Sequence, residues 1–553
     1  MATKNNRHKG QSRGRAVQIT AVEEIRASLG DGSLRRDLLI EYLHLIQDHY
    51  RCISDEHCVA LAQELRISSA EVYEVATFYH HFDVVKDDDA RPPAITVRVC
   101  DSLTCSLFGA DALIASLSTH TDDVRIQHVP CVGRCAGAPV AVVGTNAIEN
   151  ATVELISKAV ENHEVDAHPN QHIGFEDYLE SGGYDLIQRC QRSELTRDQV
   201  ISELDNAKLR GLGGAGFPAG SKWSILREQD APRLLAVNID EGEPGTFKDR
   251  YFLEKDPHRF LEGMLVAAWA IEADACYIYI RDEYTASRLA LAAEIQILIG
   301  QAPCKLPTIE LRRGAGAYIC GEESAMLESI EGKRGLPRLR PPYVAQVGLF
   351  GQPTLEHNME TLFWIRDILD NGAKWFCDNG RRDRSGLRSY SVSGRVNKPG
   401  VHIAPAGISA RELIDEFCGG MLSGHEFYGY FPGGASGGIL PASLGDEPLD
   451  FDTLQVHGCF IGSAAVIILS DQDSARKAAL NAMRFFKHES CGQCTPCRVG
   501  TAKAVELMTQ DTWDKGLLEE LATAMEDASI CGLGQAAPNP LRCAMKYFPQ
   551  EFE

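Results

Sequence analysis

The chain has 553 residues, 44% hydrophobic and 24% charged, and carries a formal charge of −22 from 55 basic and 77 acidic residues. At roughly 100–200 residues per domain it is long enough for several buried cores, and its acidity opposes binding to a phosphate backbone or an anionic membrane surface. No window approaches the roughly 18–20 apolar residues of a spanning helix, so neither nucleic-acid binding nor membrane insertion is expected.

The chain opens with MATKNNRHKGQSRGRA, basic and without the apolar stretch of a secretory signal. Residues 1–33 are expected to be a poorly ordered tail of a cytoplasmic protein. Residues 34–88 read as a helical domain: Leu34, Leu38, Tyr42 and Leu45 form one stripe, widened by Leu39, Leu43, Ile46 and Tyr50. Ser68 and Glu71 have capping-box spacing before the helix VYEVATFYHHF. After the charged, proline-containing linker KDDDARPP, residues 89–165 alternate the strands ITVRVC, VRIQHV and PVAVVG with the helices ADALIASL and VELISKAV.

Residues 166–385 place the strands LLAVNI, CYIYI and IELRR among Ala-rich helices such as LEGMLVAAWAIEA, which predicts an α/β layer structure. Residues 386–472 are rich in Gly and Pro with short apolar runs, a small mixed β domain, and residues 473–553 read as helices with short breaks. The fold class is therefore multidomain, α/β and α+β.

Eighteen cysteines without an export signal argue against a disulfide framework. Cys100 and Cys105 end one strand of the small α/β unit, and Cys131 and Cys135 follow the next. Two close pairs at adjacent strand ends can give two thiolates to each iron of a [2Fe–2S] group, or hold a structural zinc. Cys491, Cys494 and Cys497 form C-x2-C-x2-C, three corners of a [4Fe–4S] group, a spacing poorly suited to zinc knuckles. Cys531, in the Gly-flanked SICGLG, is the expected fourth ligand, with Cys543 as its competitor.

Gly211, Gly213 and Gly216 form a G-x-G-x-x-G in RGLGGAGFPAGSKW, but the polar, helix-like SELDNAKLR precedes it where a dinucleotide fingerprint needs a strand. What remains is a backbone able to approach a phosphate or a flat ring, with Lys222 to neutralise charge. The strand LLAVNI ends in Asn238, Asp240, Glu241 and Glu243, where α/β proteins place ligands. A second glycine segment, RRGAGAYICGEES, brings Glu322 and Glu323. Two such loops with two acid pairs suggest a flavin or nucleotide site, and acidic walls favour NAD over NADP.

These segments, with PRLRPPYVAQVGLFGQPT and HNMETL, resemble the flavoprotein subunit of respiratory complex I and its relatives. ESCGQCTPCRVG and SICGLG resemble that subunit's [4Fe–4S] motif, while CDSLTC and CVGRC resemble the thioredoxin-like [2Fe–2S] subunit of the same complex, joined ahead of it in one chain. The resemblance implies a Rossmann-like FMN and NAD domain, a β-grasp-like domain and a C-terminal helical bundle. It implies FMN contacts from Gly211, Gly213, Gly214, Lys222, Asn238, Asp240, Glu241, Tyr318, Gly321, Asn358 and Thr361. It implies NAD(H) contacts from Phe217, Glu243, Glu322, Glu323, Arg340 and Tyr343, with Glu243, Glu322 and Tyr318 nearest the chemistry. Relatives often carry an aromatic residue where Ile225 stands, Lys where Arg340 stands and Asn where His357 stands.

A nicotinamide exchanges a hydride and an iron–sulfur group one electron; a flavin does both, which gives one chain a reason to hold all three. The segments LRSYSVSGRVNKPGVHIAPAGISARELIDEFCGGM, from Leu387 to Met421, and FYGYFPGGASGGILPASL, from Phe427 to Leu444, most resemble β subunits of soluble NAD-dependent formate dehydrogenases. That resemblance implies a partner α subunit with a molybdenum or tungsten pterin and further Fe–S clusters that oxidises formate while this chain reduces NAD, reversibly. The diaphorase of an NAD-linked hydrogenase, the NADH-input subunit of a complex I-like enzyme, and a zinc-stapled scaffold without catalysis are the alternatives.

Overall fold

The computed structural model describes residues 15–30, 32–86, 89–117 and 124–552. They divide into two compact units, Met1–Pro92 with Glu331–Arg334, and Pro93–Ile330 with Gly335–Glu553.

The first unit packs helices Ile19–Leu29, Leu39–Tyr50, Asp55–Leu65 and Ser69–Ala76 around a two-residue parallel pairing of β1 (Ile53–Ser54) with β2 (Val84–Val85). The expected tail is shorter than read: Ile19–Leu29 is a helix because Ala21 and Ile25, four residues apart, bury one side of it, and Arg26 pairs with Glu64. Residues 1–14 of that tail lie outside the described residues. The expected capping box at Ser68 is half made. Ser68 Oγ accepts from the Glu71 amide, but the Glu71 carboxylate turns to Arg36 at 2.6 Å. The reciprocal box forms instead at Ser54 and His57.

In the second unit, the small sheet orders β4 (Val124–Val129), β3 (Ile95–Cys100), β5 (Ala141–Val143) and β6 (Asn146–Ile148). β3 and β4 are parallel with Cys100 opposite Val129, so both cysteine pairs leave the same end of the sheet. Val97, Val99, Ala141 and Val143 form its core with helices Ala110–Leu117 and Val153–Glu161.

The second sheet is wholly parallel, in the order β10 (Thr354–Asn358), β7 (Arg233–Ile239), β8 (Ala273–Ile280), β9 (Thr308–Arg313). Its central strands β7 and β8, RLLAVNI and ADACYIYI, are near-continuous apolar runs, while the edge strands β9 and β10 carry charged and polar residues. The register sets Asn238 beside Asn358 at the carboxyl ends of β7 and β10.

The third sheet runs β12 (Gly400–Pro405), β11 (Leu387–Gly394), β15 (Ala465–Ser470), β13 (Phe427–Phe431), β14 (Leu440–Pro441). Its first and last strands, β11 and β15, are parallel and adjacent, each flanked on its other side by an antiparallel strand, β12 beside β11 and β13 beside β15, the arrangement a β-grasp-like domain requires. Helices Ala475–Glu489, Thr495–Met508, Lys515–Ala528 and Asn539–Tyr547 close the chain. No helix among the described residues is long and apolar enough to cross a membrane.

The helix Pro257–Ile271 is buried along nearly its whole length, and at Gly263 a Cβ would stand 1.9 Å from the carbonyl oxygen of Leu362. Gly263→Ala is expected to destabilise the protein by about 1–3 kcal/mol through overpacking. At exposed Gly300, near the end of the helix Thr285–Gln301, a Cβ meets nothing within 4 Å, so Gly300→Ala is expected to stabilise by about 0.5–1 kcal/mol. Thermal denaturation of the two variants checks the opposite signs.

Candidate functional site

A cavity of about 690 Å³ opens at the carboxyl ends of β7 and β10. The glycine loop lies between the helices Arg197–Asn206 and Ala219–Arg227, so it is not a strand-to-helix phosphate turn, as its flanks predict. Gly213 and Gly214 line the cavity, and a Cβ on Gly213 would press to 3.0 Å against the Asn358 side chain. The loop is held from beneath: the Gly211 amide donates to the Phe217 carbonyl at 2.8 Å and the Leu212 amide to Thr361 Oγ1 at 2.9 Å.

Among the residues the sequence singles out, Gly213, Gly214, Asn238, Asp240, Glu241, Glu243, Tyr318, Gly321, Glu322 and Asn358 share this wall. Asn238 donates to the Gly321 carbonyl at 2.9 Å, which joins the two glycine segments. Tyr318 donates to Glu243 Oε2, and Glu243 Oε1 accepts the Ser436 amide at 2.7 Å. Burial raises the Glu243 carboxyl above its ordinary range. Asp240 Oδ2 is buried without a hydrogen-bond partner among the described residues, and its carboxyl is raised strongly by burial. A flat ring bearing hydrogen-bond donors fits this glycine-floored, acceptor-lined space.

Gly211, Lys222, Thr361, Phe217, Glu323, Arg340 and Tyr343 lie off the cavity wall. Thr361 is 1% exposed and spent on the Leu212 amide, so it shapes the loop from below. Arg340 pairs with Glu322 and with Glu323 at 2.9 Å, and Lys222 with Glu356 at 3.1 Å and Glu323 at 3.9 Å. Three carboxylates thus meet two cations beside the wall. Phe217 and Tyr343 are 49% and 55% exposed, with ring faces free to stack. His357, where relatives often carry Asn, turns away from the cavity and accepts from Trp223 Nε1 at 2.7 Å; burial and Lys222 keep it neutral.

Thr246, Lys248, Asp249, Ser436, Phe460, Ser463, Leu533 and Asn539 also stand on the wall, and the sequence does not single them out. Thr246, Lys248 and Asp249 follow Glu243 on the way into the helix Lys248–Leu253. Ser436, Phe460 and Ser463 come from the loops of the third sheet, and Leu533 and Asn539 from the segment after Cys531.

Cys100, Cys105, Cys131 and Cys135 are all at most 5% exposed. The sulfurs of Cys131 and Cys135 are 3.3 Å apart, and Cys100 interacts with both Cys105 and Cys131. The Gly133 amide donates to Cys131 Sγ at 3.4 Å. Among the described residues no carboxylate or imidazole joins this set of soft donors, which fits iron–sulfur ligation.

In the helical region Cys494 caps the helix Thr495–Met508, Cys497 sits in its first turn, and Cys531 caps Gly532–Ala536. A Cβ on Gly534 would come within 2.9 Å of Cys497 Cβ, so only glycine lets the Cys531 loop lie against the triplet. The Leu533 and Gly534 amides face the Cys531 thiol, which burial nonetheless pushes up to about 12; a cluster that keeps it a thiolate offsets that cost. Cys543 is elsewhere, 3.5 Å from Cys459.

Residues 204–367 match the Nuo51 FMN-binding domain family, residues 477–553 the NADH-ubiquinone oxidoreductase-F iron–sulfur binding region, and residues 23–164 the thioredoxin-like [2Fe–2S] ferredoxins. The second F-type subunit of NADH-quinone oxidoreductase in Rhizobium meliloti is 43% identical over 390 residues, 68% of this chain and 92% of its own length. NADH dehydrogenase [ubiquinone] flavoprotein 1 of Dictyostelium discoideum is 42% identical over 65% of this chain and 78% of its own. A chain of an NAD+-reducing [NiFe]-hydrogenase, solved in the H2-reduced state, superposes with a TM-score of 0.83 at 31% identity, covering 94% of this chain and 92% of that one.

Cys531→Ala is expected to abolish the [4Fe–4S] electron paramagnetic resonance signal, or convert it to that of a three-iron species, whereas Cys543→Ala leaves signal and iron content intact. The two variants, compared by iron analysis and low-temperature spectroscopy, check the assignment.

Proposed function

We infer the function of this chain from its family, since it belongs to the flavoproteins of the NADH-quinone oxidoreductases. It is an NAD(H)-linked flavin and iron–sulfur oxidoreductase with an FMN-binding domain, a [4Fe–4S] region and a thioredoxin-like [2Fe–2S] domain. The flavin, when bound, exchanges a hydride with the nicotinamide and single electrons with the clusters. The observation that carries the site reading is the cavity wall itself, built at once from the Asp240–Glu243 loop, the Glu322 loop and the Leu533–Asn539 segment behind Cys531.

In this reading Gly213 and Gly214 let the ring lie close to the backbone, and Asn238, Asp240 and Asn358 hold its polar edge. Glu243, fixed by Tyr318 and Ser436, orients the nicotinamide side. Glu322 is preorganised for the ribose or carboxamide by the Ser324 and Ala325 amides, at 3.1 and 2.9 Å. Phe217 and Tyr343 supply the aromatic faces. No side-chain nucleophile or general base is required.

The finer reading is the electron-transfer subunit of a soluble NAD-dependent formate dehydrogenase, reducing NAD with electrons from a molybdenum- or tungsten-pterin partner. The wording of the segment Leu387–Met421 supports it. The diaphorase of an NAD-linked hydrogenase is supported by the extent of the structural match, which spans the fused domains. Purification of the native complex separates them: stoichiometric pterin with molybdenum or tungsten is expected, and nickel without pterin contradicts the formate reading.

The carboxylates beside the wall outnumber their cations by one, and a 2′-phosphate adds about two negative charges. Like charges at ~4 Å in an effective dielectric of about 20 cost about 4 kcal/mol, and a quarter of that gives several-fold discrimination. NADH is therefore expected to exceed NADPH several-fold in kcat/KM with an artificial acceptor. Glu323→Gln, which leaves Arg340 paired with Glu322 alone, is expected to narrow the ratio.

A further inference from the structure

The Cys131–Cys135 side of the small α/β unit is held by residues of the parallel-sheet region. Arg281, 4% exposed and directly after β8, donates Nη2 to the Cys131 carbonyl at 2.7 Å and Nη1 to the Glu241 carbonyl at 2.5 Å. Arg250 donates Nε to the Gly133 carbonyl at 2.9 Å. Tyr284 donates to Glu241 Oε2 at 2.8 Å, and a Cβ on Gly133, whose φ is +71°, would fall 2.3 Å from Tyr284 Oη. Phe247 packs on Cys131 and Cys135.

The charges here are unequally exposed. Arg250 is answered by Glu254 at 2.8 Å, both largely buried. Arg281 is answered by Glu283 at 2.9 Å, but that carboxylate is 26% exposed while the guanidinium is 4% exposed. Asp240 and Glu489, whose carboxyls burial holds above their ordinary range, also face Arg281. Solvent screens Glu283 more than Arg281, so the guanidinium is the buried charge in direct contact with the Cys131 loop.

We propose that Arg281 is a positioning residue that clamps the Cys131–Gly133 loop to the Glu241 segment and favours the reduced state of the [2Fe–2S] group on that loop. The proposal rests on Cys100, Cys105, Cys131 and Cys135 being its ligands. Reduction adds one electron with no bond made or broken, so the site becomes one charge more negative. A buried cation bonded to the Cys131 carbonyl stabilises that state more than the oxidised one. Neutralising Arg281 disfavours reduction; neutralising Glu283 favours it.

The test is a dithionite titration of the full-length holoprotein at fixed pH, with the [2Fe–2S] and [4Fe–4S] signals followed separately by electron paramagnetic resonance. In Arg281→Gln the reduction equilibrium constant of the [2Fe–2S] group is expected to fall about 10-fold, about 59 mV for one electron. In Glu283→Gln the midpoint is expected to rise, and Arg281→Lys, which keeps the charge but not the fork, to stay nearer the unmodified value. The [4Fe–4S] midpoint is expected to stay put in all three. Iron content and the [2Fe–2S] signal of the unmodified protein report separately on the ligand assignment. An unchanged midpoint in Arg281→Gln with the cluster intact, or shifts of one sign in both neutral variants, would overturn the proposal. Should Arg281→Gln lose the cluster, Glu283→Gln decides alone, and an unchanged or lowered midpoint there refutes it.

Discussion

The carboxylate of Glu241 folds the segment between β7 and the helix Lys248–Leu253 back on itself. One oxygen accepts the Asp249 amide at 2.9 Å; the other accepts the Arg250 amide at 3.2 Å and the Tyr284 hydroxyl. Both oxygens are thus spent within the protein, so the carboxylate knots its own loop while the residue still lines the cavity. From that knot Asp240, Glu241 and Glu243 face the cavity, while Arg250 and Phe247 reach the Cys131 loop. Burial raises Glu241 to about 7 even with these donors, so the knot is held at an electrostatic cost that its hydrogen bonds offset.

The surroundings are similarly balanced. Lys248, 1% exposed, pairs with Asp249 at 2.8 Å and Glu360 at 3.1 Å, and Asn358 donates to Asp249 at 2.7 Å. A buried cation between two carboxylates stabilises little on its own, but removing one member would leave an uncompensated charge under the cavity floor. The arrangement fixes the ends of β7 and β10 and the helix Lys248–Leu253 relative to each other, which is the preorganisation a cofactor cradle needs.

Features set by short-range spacing were legible in the sequence: the cysteine triplet, the strand ends that bring Cys100 and Cys131 to one sheet edge, and the mismatch of the glycine loop with a dinucleotide turn. That Cys531, rather than Cys543, lies beside the triplet was legible because glycine flanks only the former. Less legible was whatever depends on long-range approach. Ser436, Phe460 and Asn539 reach the cavity from loops whose local sequence says nothing of a ligand. The helix Ile19–Leu29 was hidden because two buried residues, Ala21 and Ile25, are too few to stand out beside a basic tail. Thr361 and His357 sit in a matching motif yet face away from the cavity, since a motif specifies position along the chain and packing decides where a side chain turns.

A flavin and two iron–sulfur groups on one chain should all answer to the same nicotinamide. Anaerobic titration of the purified protein with NADH, followed by visible absorption and electron paramagnetic resonance, tests this most directly. The predicted result is bleaching of one FMN per chain with the appearance of iron–sulfur signals, and iron and sulfide equal to one [2Fe–2S] plus one [4Fe–4S] group. Stoichiometric zinc in place of iron, with no flavin released on denaturation and no spectral response to NADH, would contradict it.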